Sequence, residues 1–331
     1  MPRGRTRNGL RIGHATTRAT ALAILLQSGC AGPRQVAPVH ATHGARAGSE
    51  ATASPTVAFN HLYVVVPAQV MEQFLRASLL RDRLAAADRG FPKFEPVEPG
   101  SQSIYLRGRH TYLEILGPNN RFDEPVGKLG LAFSTDSVGE VEEVEKRLRE
   151  ATAVAWARHL TQWDFDRDPP VNWYHVVYRP FAAEARCAWW FSEYHPDFLP
   201  ALYPDRPAGR TGVERSRFLA GHHDETRWLR DIVSLRVVLE PAAADQLAAD
   251  LTAVGWTIED GDDGEARGRR RISGPEFEIA LHTPSNDEAH GLRTIGFTTY
   301  TQADGPQQHE LPGGVTVRLD GAGLGWLELG S

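Results

Sequence analysis

Few side chains in this sequence are of a type and spacing that could do chemistry. His222-His223-Asp224-Glu225 strings metal-ligand types together, but in a loop-like stretch where a solvated polar loop is the favoured reading. In Trp189-Trp190-Phe191-Ser192-Glu193-Tyr194-His195, strand alternation places Trp189, Phe191 and Glu193 on one face, with His195 beside them if the strand continues. Aromatic walls around one carboxylate build an apolar pocket with a polar anchor, which makes Trp189, Phe191 and His195 candidate substrate contacts. Plain core packing accounts for the same aromatics equally well. Gly321 to Gly325 is glycine-rich but leads into a strand, so it presents no helix N-terminus to a phosphate. Arg267, Arg269, Arg270 and Arg271 follow five acids within residues 259–265, and charge pairing across a hairpin explains them better than nucleic acid. Gly-x-Ser-x-Gly, His-Glu-x-x-His and Cys-x-x-Cys are all missing. Cys187 reads as a buried small hydrophobe.

The elements that must hold these residues repeat. Phe59 to Val66 is a β-branched and aromatic strand ended by Pro67, and Val70, Phe74, Leu75 and Leu79 then recur at helical spacing. Strands are expected at 91–97, 103–106 and 111–116. The order returns with a strand at 130–135 and a helix at 137–150, whose outer face pairs Glu142/Lys146, Glu143/Arg147 and Glu145/Arg149. Strands at 173–178 and 188–194 follow. A third copy has a strand at 232–239, a helix marked by Leu247, Leu251 and Val254, and strands at 256–259, 269–273 and 276–282. A fourth has strands at 294–300, 315–319 and 325–329 and no room for a full helix.

Four β-α-β-β-β units in pairs resemble the vicinal oxygen chelate superfamily of glyoxalases, bleomycin-resistance proteins and extradiol dioxygenases. The segments FNHLYVVV, TYLEILGP and WWFSEYHPDFL resemble an uncharacterised glyoxalase-like family within it. The resemblance implies an α+β fold of two glyoxalase-like domains with cup-shaped mixed sheets, domain 1 at 57–200 and a degenerate domain 2 at 230–331, joined by a linker at 201–229. It also implies a divalent metal (Fe, Mn, Ni or Zn) in the first cup. Its ligands fall on His61, Glu114 and Glu193, and the fourth position falls near Gly130, which has no side chain. His195 or His175 are the substitutes. Glu114 or Glu193 would then shuttle a proton while the metal polarises a carbonyl or enolate oxygen. Alternatively, His61 beside Asn60 is a structural polar group and Glu114 an ordinary hydrogen-bonded acid. In domain 2, Ser234 stands where a dioxygenase needs His, and only Glu278 and Glu328 keep carboxylate positions. The implied function is binding or transforming a small organic molecule. The rivals are a non-catalytic sequestering protein and an envelope interaction protein with vestigial sites.

At 331 residues the chain suits two domains, and 41% hydrophobic with 24% charged residues excludes wholesale disorder. No apolar run reaches the ~18–20 residues of a membrane-spanning helix. Residues 1–18 carry five arginines and no acid, Ala19 to Leu26 is apolar, and Gln27-Ser28-Gly29-Cys30 follows. That order is the signature of an export signal, and its end resembles a lipobox with Cys30 as the acylated residue, although Gln27 departs from the motif. The expectation is a signal peptide over 1–30, a flexible tether over 31–56, and an exported lipoprotein held on a membrane by its lipid anchor. Losing residues 1–29 removes five positive charges and moves the net charge from −6 to about −11, which argues against a nucleic-acid partner.

Overall fold

The computed structural model describes residues 56–163, 170–182, 184–206, 210–260, 269–284, 290–311 and 313–329. The expected signal, the tether and Cys30 lie outside the described residues, apart from Thr56. Two eight-stranded sheets account for most of the fold. The first contains β1 (Ala58–Val65), β2 (Ala86–Asp88), β3 (Ser103–Arg107), β4 (Tyr112–Leu116), β5 (Leu129–Ser134), β6 (Ala157–Trp163), β7 (Val171–Tyr178) and β8 (Cys187–Tyr194). The second contains β9 (Leu229–Val238), β10 (Thr257–Asp260), β11 (Arg269–Gly274), β12 (Phe277–His282), β13 (Gly291–Thr299), β14 (Gln307–Leu311), β15 (Val315–Leu319) and β16 (Leu324–Glu328). Their orders, β2-β3-β4-β1-β5-β8-β7-β6 and β10-β11-β12-β9-β13-β16-β15-β14, are the same pattern twice, and both sheets are open.

In every unit the first strand pairs parallel or antiparallel with its neighbours according to the crossover. β1 runs parallel to β4, and β5 to β8, because a helix carries the chain over the sheet between each first strand and the rest of its unit. Those helices are α1 (Ala68–Arg76) and α2 (Glu140–Ala151). In the third unit α5 (Pro241–Ala253) does the same, starting on its proline. Among the described residues the fourth unit has no helix, as its length predicts. Paired units join through antiparallel β1–β5 and β9–β13 contacts. The α+β tandem architecture expected from the sequence is therefore the one observed.

The two sheets share one core. The rings of Phe59 and Phe277 stack at 3.9 Å, Phe133 meets Trp256 edge to face at 5.3 Å, and Trp256 Nε1 donates to the carbonyl of Val57 at 2.9 Å. Helices α2 and α5 lie against each other in this layer. Each such aromatic, fully buried, contributes about 2–3 kcal/mol of apolar transfer.

The opposite face of the first sheet has its own aromatic cover. Residues 91–97, expected as a strand, are a loop instead, and the strand of that position is β2. Pro92 and Pro96 lack the ladder donors a strand needs, so the segment turns at Gly90 and lays Phe91 and Phe94 over the sheet. Two short helices from the stretch between the sheets, α3 (Phe198–Leu202) and α4 (Arg215–Leu219), add Phe198 and Phe218 to the same cluster. Tyr203 Oη donates to the Phe218 carbonyl at 2.6 Å and fixes one helix to the other. No helix among the described residues is long and apolar enough to cross a membrane.

Candidate functional site

Register across the first sheet aligns two rows of side chains on the aromatic-covered face. Arg107, Tyr112, His61, Ala132 and Trp190 form one row across β3, β4, β1, β5 and β8. Tyr105, Glu114, Tyr63 and Gly130 form the next, two residues along each strand. His61 follows a register shift in β1 after Phe59, and its ring stacks on Tyr112 at 4.4 Å and meets Trp190 edge-on at 5.6 Å. Its Nδ1 lies 2.8 Å from Asn60 Oδ1, and the Asn60 amide in turn donates to Ser134 Oγ at 2.9 Å. That contact places the ring proton on Nδ1 and leaves the Nε2 lone pair facing Glu114, whose Oε1 is 3.8 Å away.

The pair is not an ion pair, because the imidazole is uncharged. Burial, with the positive charge of Arg107 second, lowers the His61 pKa to about 3. Burial raises the Glu114 carboxyl to about 7, although Arg121, Arg107 and a hydrogen bond with Tyr105 pull the other way. Both side chains still reach solvent, at 16% and 10% of their area. Beside them Arg107, 1% exposed, grips Asp88 with Nε at 2.8 Å and Nη2 at 2.9 Å. Its guanidinium also lies over Tyr105, Tyr112 and Phe94. A carboxyl that titrates near neutrality next to an unprotonated imidazole can give and take a proton at ordinary pH.

The sequence-derived residues divide. His61 and Glu114 come together. Glu193 does not join them, and its assignment as a metal ligand and proton shuttle is corrected. β8 turns Glu193 to the helix side of the sheet, where its carboxylate accepts from Gly139 N at 2.8 Å, Val141 N at 3.0 Å and Thr135 Oγ1 at 3.1 Å. It caps α2, whose N-cap residue, Gly139, has no side chain to do so. Trp189 and Phe191 share that face and so do not line the covered one. Trp189 Nε1 donates to Asp250 of α5 at 2.8 Å, and Phe191 packs on Phe133 and Trp156. His195 lies just past the end of β8, with its ring 5.8 Å from that of His175, on the far side from His61. His222 is stacked on Phe94 at 3.7 Å, and burial lowers its pKa to about 4.

The donor set does not fit a superfamily-type metal. The fourth position, Gly130, is where the Tyr63 ring crosses the backbone to donate to Glu124 at 3.1 Å. A Cβ on Gly130 would come within 2.0 Å of that ring, so the space of a ligand side chain is filled. His61 Nε2 and Glu114 Oε1 remain, two donors where a site of this kind takes three or four. Among the described residues no group of three or more His, Cys, Asp or Glu is placed to hold an ion. Sequence reasoning overlooked Arg107, Tyr105 and Asp88. The alternation in Ser103 to Arg107 put Tyr105 and Arg107 on one face and was the available signal.

The fold and the site define a protein of tandem βαβββ units with a close His–Glu pair in its first half and, among the described residues, none matching it in its second. The chain belongs to the family of unknown function DUF5829, whose model matches residues 59–327. No curated protein matches it. Among solved structures it is similar to a hypothetical protein from Staphylococcus aureus, with 10% identity over 79% of this chain and 98% of that one and a TM-score of 0.46. It is also similar to 2,2',3-trihydroxybiphenyl 1,2-dioxygenase from the dibenzofuran-degrading Sphingomonas wittichii strain RW1, with 12% identity, 84% and 91% coverage and a TM-score of 0.42. A mutant of 4-hydroxymandelate synthase from Streptomyces coelicolor gives 17% identity, 71% and 64% coverage and a TM-score of 0.34. At such distances neither substrate nor metal passes from these proteins to this chain.

Proposed function

We propose that the first half binds a small organic molecule against His61, Tyr112 and Trp190, and that Glu114 exchanges a proton with it. The observation that carries this reading is the His61–Glu114 pair, 3.8 Å apart and partly open to solvent on an otherwise buried aromatic face. Glu114 is the proton carrier because its carboxyl titrates at about 7, and His61 Nε2 is an acceptor held in place by Asn60. The repeat order supports a place in the vicinal oxygen chelate superfamily. The two donors present support acid–base chemistry without a step routed through a metal. The arginine-rich leader and Ser28-Gly29-Cys30 support export and a lipid anchor on Cys30.

The test is α-proton exchange of an aryl ketone, acetophenone, in deuterated water at pH 7, followed by NMR. Wild type accelerates exchange, and Glu114→Gln loses at least about tenfold of the acceleration. Equal exchange in both proteins removes Glu114 from the chemistry. The aromatic cover of Phe91, Phe94, Phe198 and Phe218 favours a second reading, sequestration without turnover. In that case acetophenone or a related aryl compound raises the melting temperature of wild type and of Glu114→Gln alike, and no exchange is catalysed.

A further inference from the structure

The second sheet presents a different surface. Among the described residues no aromatic cluster covers its face away from the shared core. Gln308, Arg318 and Trp326 lie side by side on that face across β14, β15 and β16, with Gly296 of β13 next in the row. They and Glu328 line an open concavity of about 500 Å3, a volume within the range of small-ligand sites. Trp326 is half-buried, and its neighbour Gly296 contributes no side chain to stand over the ring.

The floor carries charges of both signs, with Glu310 of β14 and Arg236 of β9 in the same row as Glu328. Arg318 Nε is 3.3 Å from Glu328 Oε2, with 51% and 38% of the side chains exposed, so both keep free donor and acceptor positions. Further along the face Arg271 Nε meets Glu278 Oε1 at 3.2 Å. Gln308 adds a planar amide whose nitrogen already donates to Glu310 at 2.7 Å. An anion entering here meets Glu328, and a cation meets Arg318. An apolar molecule would strip water from both without replacing the hydrogen bonds. A pyranose suits the whole arrangement. Its C–H face lies flat on an indole, and its hydroxyls, each donor and acceptor at once, pair with guanidinium, carboxylate and amide edges.

We propose that this face is a binding site for a neutral carbohydrate of one or two pyranose rings, with Trp326 as the platform and Gln308, Arg318 and Glu328 as the hydroxyl partners. The site is separate from the His61–Glu114 pair and does not depend on its role.

The experiment titrates the 15N-labelled full chain with cellobiose, maltose and N,N′-diacetylchitobiose up to about 50 mM, enough to saturate millimolar binding. The eight tryptophans give eight indole N–H resonances, and the one from Trp326 is the one lost in Trp326→Phe. The expected result is a saturable shift of that resonance by at least one disaccharide, with a Kd on the order of 1 mM. Trp326→Ala should weaken binding at least about tenfold, and Glu328→Gln and Gln308→Ala about threefold each. The other indole resonances report whether each variant is folded. Should Trp326→Ala unfold, the two polar variants carry the test, because both change exposed or half-exposed side chains. The proposal is overturned by no saturable shift with any of the three sugars, or by affinity unchanged in the variants.

Discussion

Glu114→Gln should make the protein more stable in alkali while leaving it unchanged in acid. In the folded chain the Glu114 carboxyl holds its proton up to about pH 7, against 4.5 for an ordinary glutamate. Unfolding then releases a proton throughout that window, so this group lowers stability as pH rises from about 4.5 to about 7. Each tenfold in proton affinity is about 1.4 kcal/mol, which puts the full penalty at about 3 kcal/mol above pH 7. With 10% of the side chain open to water, about 2–3 kcal/mol is the expected effect. Glutamine has the shape of the protonated acid and no titration. The difference between variant and wild type in urea unfolding should therefore be near zero at pH 4.5, grow through pH 6 and 7, and level off by pH 8.5. At that plateau the melting temperature should be higher by roughly 4–6 °C. Asp250, also raised by burial, to about 6, has the same sign but is present in both proteins and cancels. A difference that stays constant with pH, or a variant less stable than wild type at pH 8.5, would refute the assignment of Glu114 as a carboxyl titrating near neutrality.

Other perturbations probe the remaining features. Glu193→Ala removes three hydrogen bonds at the start of α2 and should cost about 2–4 kcal/mol in urea unfolding without changing the pH profile described for Glu114. Gly130→Ala pushes a Cβ into the Tyr63 ring and should cost about 1–3 kcal/mol, part of which Tyr63→Leu should restore; full stability in the single variant would show that the ring has room to move. Cys30→Ala should leave an unlipidated precursor in cell fractionation, and wild type found at full length in the cytosol would count against export.

The repeats were legible because their first strands are β-branched and end on proline, and because helix spacing is plain in Leu247, Leu251 and Val254. Strands β6 and β14 were not foreseen. Each lies at an outer edge of its sheet, and sequences such as QQHEL have no apolar alternation to betray a strand. His61 and Glu114 were singled out by the family resemblance, which places them on the first and last strands of one unit, and β1 and β4 do pair with each other. The placing of Glu193 was not legible, because alternation groups Trp189, Phe191 and Glu193 correctly but cannot say which side of the sheet they occupy. That choice is made by a helix start more than fifty residues earlier in the chain, whose glycine supplies no acceptor of its own. The filling of the fourth ligand position by Tyr63 is likewise invisible until β1 and β5 are set in register.

The Phe59–Phe277 stack and the Trp256–Val57 hydrogen bond make each half the inner wall of the other. Neither half can be deleted without exposing aromatic surface that its partner now covers. The second half, whatever it binds, therefore supports the folding of the first, and that demand falls on the side chains facing inward. The residues on its outward face can change without unsettling the wall behind them, which leaves that face free to take on recognition of its own.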